Sequence, residues 1–228
     1  MSESSSKVLI DVKDLGKTYQ TEAGAIQVLN GVNFQVRTGE MVAIMGPSGS
    51  GKSTLLFILG LFLSPSTGQY LLDGEDVLAL DRAGQARFRR WKMGFVFQST
   101  DLLENSTVYE NLEFPMIYAK VERAKRPERI AEVLDLVGLS HRVHHPSNLL
   151  SGGERQRAAV ARALVNHPKV ILADEPTGQL DKKNTDLIME HFSRIAGTSG
   201  TAIIMVTHDP EVSHWCDRVC SLANGRLA

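Results

Sequence analysis

Met41, Val42, Ala43, Ile44 and Met45 form a continuous apolar run of buried-strand length. It feeds straight into Gly46, Pro47, Ser48, Gly49, Ser50, Gly51, Lys52 and Ser53. No other stretch restricts the possible folds so far. Glycines between a strand and a helix let the backbone curl until successive N–H groups point inward. The helix read from Thr54 onward adds its positive N-terminal end. The spacing Gly-x-x-x-x-Gly-Lys-Ser is that of a phosphate-binding loop, in which Lys52 reaches the β- and γ-phosphates of a nucleotide and the Ser53 hydroxyl ligates Mg²⁺.

Such a loop needs a sheet of buried strands beneath it, and the chain supplies the pattern. Residues 93–97, 170–173 and 202–206 are further apolar runs of strand length, separated by helical stretches at residues 54–61, 85–92 and 183–196. Continuous apolar strands alternating with helices indicate an α/β fold with a mainly parallel sheet core. Residues 8–12 and 32–36 read as short strands with turns at Ala23-Gly24 and Asn30-Gly31, and 68–72 as a strand closed by Asp73-Gly74, forming an N-terminal antiparallel β subdomain. From Ser106 to about Ala163 helical patterns prevail, one of them at residues 127–137 closed by Gly138. This helical subdomain, at about 99–165, is read as an insertion in the core. At 228 residues the chain fits one large α/β domain or two small ones, and the expectation is one domain, 1–228, with a frayed polar tail at 1–6.

Charge and composition remove several functions. A net charge of −1 argues against a nucleic-acid binder working through bulk positive charge, so no nucleic-acid partner is expected. Cys216 and Cys220 are too few for a disulfide framework and read as buried or half-buried thiols. No apolar run is long enough to span a bilayer, and the polar start is not a signal peptide. The expected location is the cytoplasm, peripheral to a membrane, with any channel supplied by another polypeptide.

The other chemistry-bearing residues sit at strand ends or helix starts. Asp174 and Glu175 close the strand at 170–173, at the carboxyl edge of a parallel sheet where ligands bind. Asp174 suits a metal as an oxygen donor beside Ser53, and Glu175 can polarise a water in line with the γ-phosphate. His208 ends the strand at 202–206, placed to hold that water or the γ-phosphate. Gln98 follows the strand at 93–97 and can touch Mg²⁺ or the water from a mobile loop. Tyr19 offers a ring for adenine to stack on. Ser151, Gly152 and Gly153 precede a helix rich in small residues, Ala158, Ala159, Ala161 and Ala163. Alone they are a helix cap. As a second anion-binding turn they serve a nucleotide shared with another copy of the chain. His141, His144 and His145 lack ligand spacing and read as solvated surface.

With these residues in order, the chain resembles the ATP-binding subunits of ABC transporters over essentially its whole length. The resemblance assigns Tyr19 as the A-loop aromatic, Gly46 to Ser53 with Thr54 as Walker A, and Gln98 as the Q-loop. It assigns Leu150 to Glu154 as the signature, Asp174 and Glu175 as the end of Walker B and the catalytic carboxylate, Asp181 as the D-loop and His208 as the switch histidine. It implies a P-loop, RecA-like core, ATP and Mg²⁺ as cofactors, an ATP-dependent homodimer and a separate transmembrane permease. Finer features are similar to the bacterial lipoprotein-release and macrolide-efflux group, which implies a mechanotransmitting partner docking on residues 102–118. Two departures stand out. Gln179 occupies a D-loop position where that group usually has Asn, and Phe62-Leu63-Ser64 replaces a more polar stretch.

The expected activity is ATP hydrolysis driving lipoprotein release or export. The same parts serve an ATPase controlling a cell-division or signalling complex. A DNA-maintenance ATPase fits less well, because no long heptad pattern separates the two glycine turns. The basic–aromatic stretch at residues 87–92 reads as a solvated helix face.

Overall fold

The computed structural model describes residues 7–22 and 24–228. The tail at 1–6 and Ala23, half of the expected Ala23-Gly24 turn, lie outside the described residues. Two sheets organise the chain. The first is antiparallel, in the order β2-β1-β4-β5, from β1 (Val8–Thr21), β2 (Gly24–Arg37), β4 (Thr67–Leu72) and β5 (Glu75–Asp76). The second has the order β10-β9-β3-β8-β7-β6, from β3 (Met41–Met45), β6 (Met93–Val96), β7 (Val170–Asp174), β8 (Ala202–Val206), β9 (Arg218–Ala223) and β10 (Arg226–Leu227). All its pairings are parallel except β9 with β10.

Strands β3, β6, β7 and β8 are covered on both faces, which is why they are apolar almost throughout, apart from Gly94 and the terminal Asp174. Side chains alternate across a strand, so each run feeds two cores. Val42, Ile44, Val170, Leu172 and Ile204 pack with the antiparallel sheet and helix α1 (Lys52–Leu59). Ala43, Ile171, Ala173, Ile203 and Met205 pack with the helices on the other side. Those are α3 (Val108–Tyr118), α4 (Arg126–Leu136), α5 (Gly152–Leu164), α6 (Lys182–Ser199) and the short α7 (Pro210–Ser213), while α2 (Arg82–Lys92) sends Phe88 into the first core.

Local chemistry marks the boundaries. Thr107 caps α3 and Ser151 caps α5, each in a reciprocal box with a glutamate three residues on. Asp81 and Asp181 cap α2 and α6 by accepting from Gly84 and Asn184. The Asp73 carboxylate draws together Lys7 at 2.8 Å, Lys92 at 3.1 Å and Lys169 at 2.8 Å, which hold it well below the usual carboxylate range. It ties the antiparallel sheet to the ends of α2 and β7.

Several expectations needed revision. Asn30 and Gly31 are not a hairpin turn but lie inside β2, where the pairing to β1 is irregular. Tertiary pairing across fourteen residues overrode the local turn signal. Strands β9 and β10 had no counterpart in the sequence reading, since Arg218–Ala223 buries only Cys220 and Leu222. In the stretch at 87–92 Phe88 is buried, and Lys92 is committed to Asp73. Cys216 is half-buried and Cys220 buried, neither in a disulfide. Among the described residues no helix is long and apolar enough to cross a membrane.

Candidate active site

Strand β3 delivers the chain to Gly46, and the loop then turns into α1, whose first residue is Lys52. Gly46 cannot carry a side chain here, because an added Cβ would collide with the carbonyl oxygen of Leu222 on β9. A strand invisible in the sequence thus holds the floor of the loop. The Lys52 ammonium donates to the carbonyls of Gly46 at 2.8 Å and Pro47 at 3.0 Å, leaving a third donor for a phosphate oxygen.

Over the loop lies a cradle of about 460 Å³ lined by Ser48, Gly49, Gly51, Lys52, Ser53 and Thr54 together with Gln98, Asp174 and Glu175. Three separately read segments therefore meet in one place, since β3, β7 and β6 all end along the sheet's carboxyl edge, with β8 between β3 and β7. Ser50 is buried beneath the loop. Val28 and Val206 also line the cradle, and neither carried a chemical signal that a sequence reading could have used.

Burial pushes the Asp174 carboxyl above its usual value, against a hydrogen bond donated by the Ser53 hydroxyl. A cation beside this pair relieves the cost of the buried anion. Hydroxyl, carboxylate and amide oxygens suit a hard ion such as Mg²⁺. Among the described residues no group of His, Cys, Asp and Glu could hold a metal alone, so an ion here takes its remaining ligands from phosphates and water.

Glu175 is joined to His208, whose Nδ1 lies 2.8 Å from the carboxylate oxygen Oε1. That contact raises the imidazole's pKa. The histidine side chain is largely exposed while the carboxylate is mostly covered. The pair can orient a water at the edge of the cradle and keep a proton within reach.

The second glycine turn is built differently. Ser151 Oγ accepts from the N–H of Glu154, and the Glu154 carboxylate accepts from the N–H of Ser151 at 2.9 Å. That N–H, and then the Arg142 guanidinium at 2.8 Å, hold the Glu154 carboxyl down at about 2. Ser151 and Gly152 are exposed, and an added Cβ on Gly152 would meet nothing within 4 Å. The small residues behind them, Ala158, Ala159 and Ala161, are buried. None of Ser151, Gly152 and Gly153 lines the cradle.

Two other expected residues also stand apart from it. Tyr19 lies on β1, 37% exposed, with the Lys17 ammonium 5.0 Å from its ring centroid. Asp181 is an exposed cap whose carboxylate accepts from Asn184 twice, at 2.8 and 2.9 Å. His141 and His144 are exposed, but His145 is half-buried with Nε2 3.1 Å from Arg142, so it braces the turn rather than facing solvent. Sequence reasoning missed Arg142 as the brace of Glu154, because the two are joined only by the folding of the loop before α5.

Comparison with known proteins agrees with this geometry. The ABC transporter family model matches residues 29–178. The chain is 43% identical over 219 residues to YknY, an uncharacterized ABC transporter ATP-binding protein of Bacillus subtilis, covering 96% of this chain and 95% of that one. It is 45% identical to the macrolide export ATP-binding/permease protein MacB of Brucella melitensis, covering 96% of this chain but 34% of that longer protein. It resembles the dimeric structure of MJ0796, a bacterial ABC transporter cassette, with a TM-score of 0.88, 39% identity and 96% coverage of both chains. A dimeric post-hydrolysis state of that cassette, bound to ADP and Pi, matches with the same TM-score. A phosphate cradle with a carboxylate and histidine at its edge, on a chain of this ancestry, has one reading: the protein belongs to the ABC transporter family, as an ATP-hydrolysing cassette.

Proposed function

We propose that two copies of this chain close head to tail around two molecules of MgATP and so drive a separate membrane permease in lipoprotein release or export. The observation that carries this reading is the division of anion-binding surfaces. One, at Gly46 to Ser53, forms a cradle with Asp174 and Glu175, and His208 stands exposed at its edge. The other, at Ser151 to Gly153, is a helix N-terminus outside the cradle lining, with Ser151 and Gly152 exposed.

Each nucleotide would be held by the cradle of one copy and by Ser151, Gly152 and Gly153 of the other, with Tyr19 stacking on the base and Asp181 reaching across. Ser53 and Asp174, with Gln98, would hold Mg²⁺, which when bound neutralises charge on the phosphate oxygens. Glu175 takes a proton from the attacking water, and His208 orients that water and the carboxylate. Hydrolysis removes the γ-phosphate attraction between the copies, and the dimer opens. Residues 1–228 act as one domain in which 99–165 moves as a helical unit, hinged at Gln98.

A groove of about 450 Å³ supports a docked partner. Its walls include Phe62, Phe95, Phe97, Phe114 and Tyr118, with Arg89 beside them. Phe62 is 54% exposed, packs on Phe95 at 4.8 Å between centroids and lies under the Arg89 guanidinium. The departure at residues 62–64 thus places an aromatic ring on this groove, facing part of the 102–118 segment. We assign the groove to an apolar cytoplasmic segment of the permease, which keeps the chain at the membrane's inner face.

The test is dilution. Steady-state hydrolysis per subunit should fall as the protein is diluted below its dimerisation range, while ATP binding per subunit persists. A rate per subunit that is flat across that range overturns the head-to-tail reading.

A further inference from the structure

Behind Glu175 lies a second, smaller cavity of about 140 Å³. Gln98, Thr100, Gln156, Glu175, Pro176 and Gln179 are among its walls, so it adjoins the cradle through Gln98 and Glu175. One side is the turn at residues 175–180 and another is the first turns of α5.

Three features meet there. Gln156 is only 3% exposed, yet among the described residues its Nε2 has no hydrogen-bond partner. A buried amide donor left without an acceptor destabilises the fold, and an apolar side chain of the same length would pack there at no such cost. Glu175, opening the facing turn, has φ of 46°, in the left-handed region that a non-glycine residue occupies only under strain. The cavity itself leaves the turn room to shift. The segment that carries the carboxylate is therefore strained at its first residue, bordered by a cavity, and opposite an amide donor with no partner among the described residues.

We propose that Gln156 is a positioning residue for hydrolysis. Its amide N–H engages an acceptor of the 176–180 turn only when two copies close on nucleotide, and this sets Glu175 in its working orientation. The helix that begins at the exposed Ser151 turn would thereby report the partner's nucleotide to the carboxylate of its own chain. The inference rests on the head-to-tail reading above.

The test is Gln156→Met in the full chain, followed by thermal unfolding and by ATP hydrolysis measured against ATP concentration. The expected result is a melting temperature equal to or above wild type, an unchanged KM, and a kcat lower by about tenfold to a hundredfold. A purely structural glutamine gives the opposite pattern. A lowered melting temperature or a failure to fold means that Nε2 is already partnered in the resting chain, and overturns the proposal. So does an unchanged kcat in a variant whose wild-type control loses activity on dilution. A wild-type rate that ignores dilution removes the head-to-tail reading and this inference together.

Discussion

The two glycine turns answer the same chemical need in opposite ways. At Gly46 the backbone is packed against β9, and the residues it serves come from three strand ends of the same chain. At Gly152 the backbone is open, and the turn before it is held by its own Glu154 and, through that carboxylate, by Arg142. The first is rigid because the fold encloses it. The second is rigid because a capping box closes on itself while its outer face stays free. A site can be pre-organised without being complete, and on the proposed head-to-tail reading the exposed turn is the half that waits for a second molecule.

The largest effect separates chemistry from assembly. Glu175→Gln should reduce hydrolysis by about 10²- to 10⁴-fold while ATP-dependent dimers accumulate in size-exclusion chromatography. Retention of near wild-type turnover would remove Glu175 from its role.

The next two variants set one turn against the other. Gly46→Ala forces a Cβ into the Leu222 carbonyl and should cost about 1–3 kcal/mol of stability, seen as a lower melting temperature of the monomer. Gly152→Ala should leave the monomer's melting temperature and ATP binding alone, since its Cβ meets nothing inside the chain. It should still lower hydrolysis by about tenfold, the equivalent of roughly 1.4 kcal/mol in the shared site. If Gly152→Ala is silent in hydrolysis as well, the exposed turn is only a helix cap.

The smallest effect is a titration. The contact with Glu175 raises the His208 pKa, so the charged contact is complete below the ordinary value of about 6.5 and is lost as pH rises through the raised value. NMR titration of the His208 ring should show that raised value in wild type and a return toward the ordinary one in Glu175→Gln. For Glu154 the sign reverses. Its contribution is present above the ordinary glutamate value and is lost as pH falls toward about 2, so the capping box should hold throughout the neutral range.

Much of this was legible in the order of residues. The apolar runs at Met41–Met45 and Ala202–Val206 match strands residue for residue, because burial on both faces leaves no alternation to misread. The phosphate loop was legible because its glycines and lysine are adjacent in sequence. Other features were not. Arg218–Ala223 gave no strand signal, yet it dictates glycine at position 46. Gln156 carries no sequence signal of its own, and only burial against the 175–180 turn makes it conspicuous.

Short-range chemistry is therefore what the sequence determined alone: the nucleotide cradle's composition, the parallel core, the caps, and the family to which their order belongs. Contacts between distant residues were left to the tertiary structure. It brought Asp174 to Ser53 and His208 to Glu175, closed an aromatic groove around Phe62, and left the Ser151 turn facing outward. The reason is physical. Loops and strands are specified by neighbours a few residues away, whereas which surfaces meet is settled only when the two cores pack across one sheet.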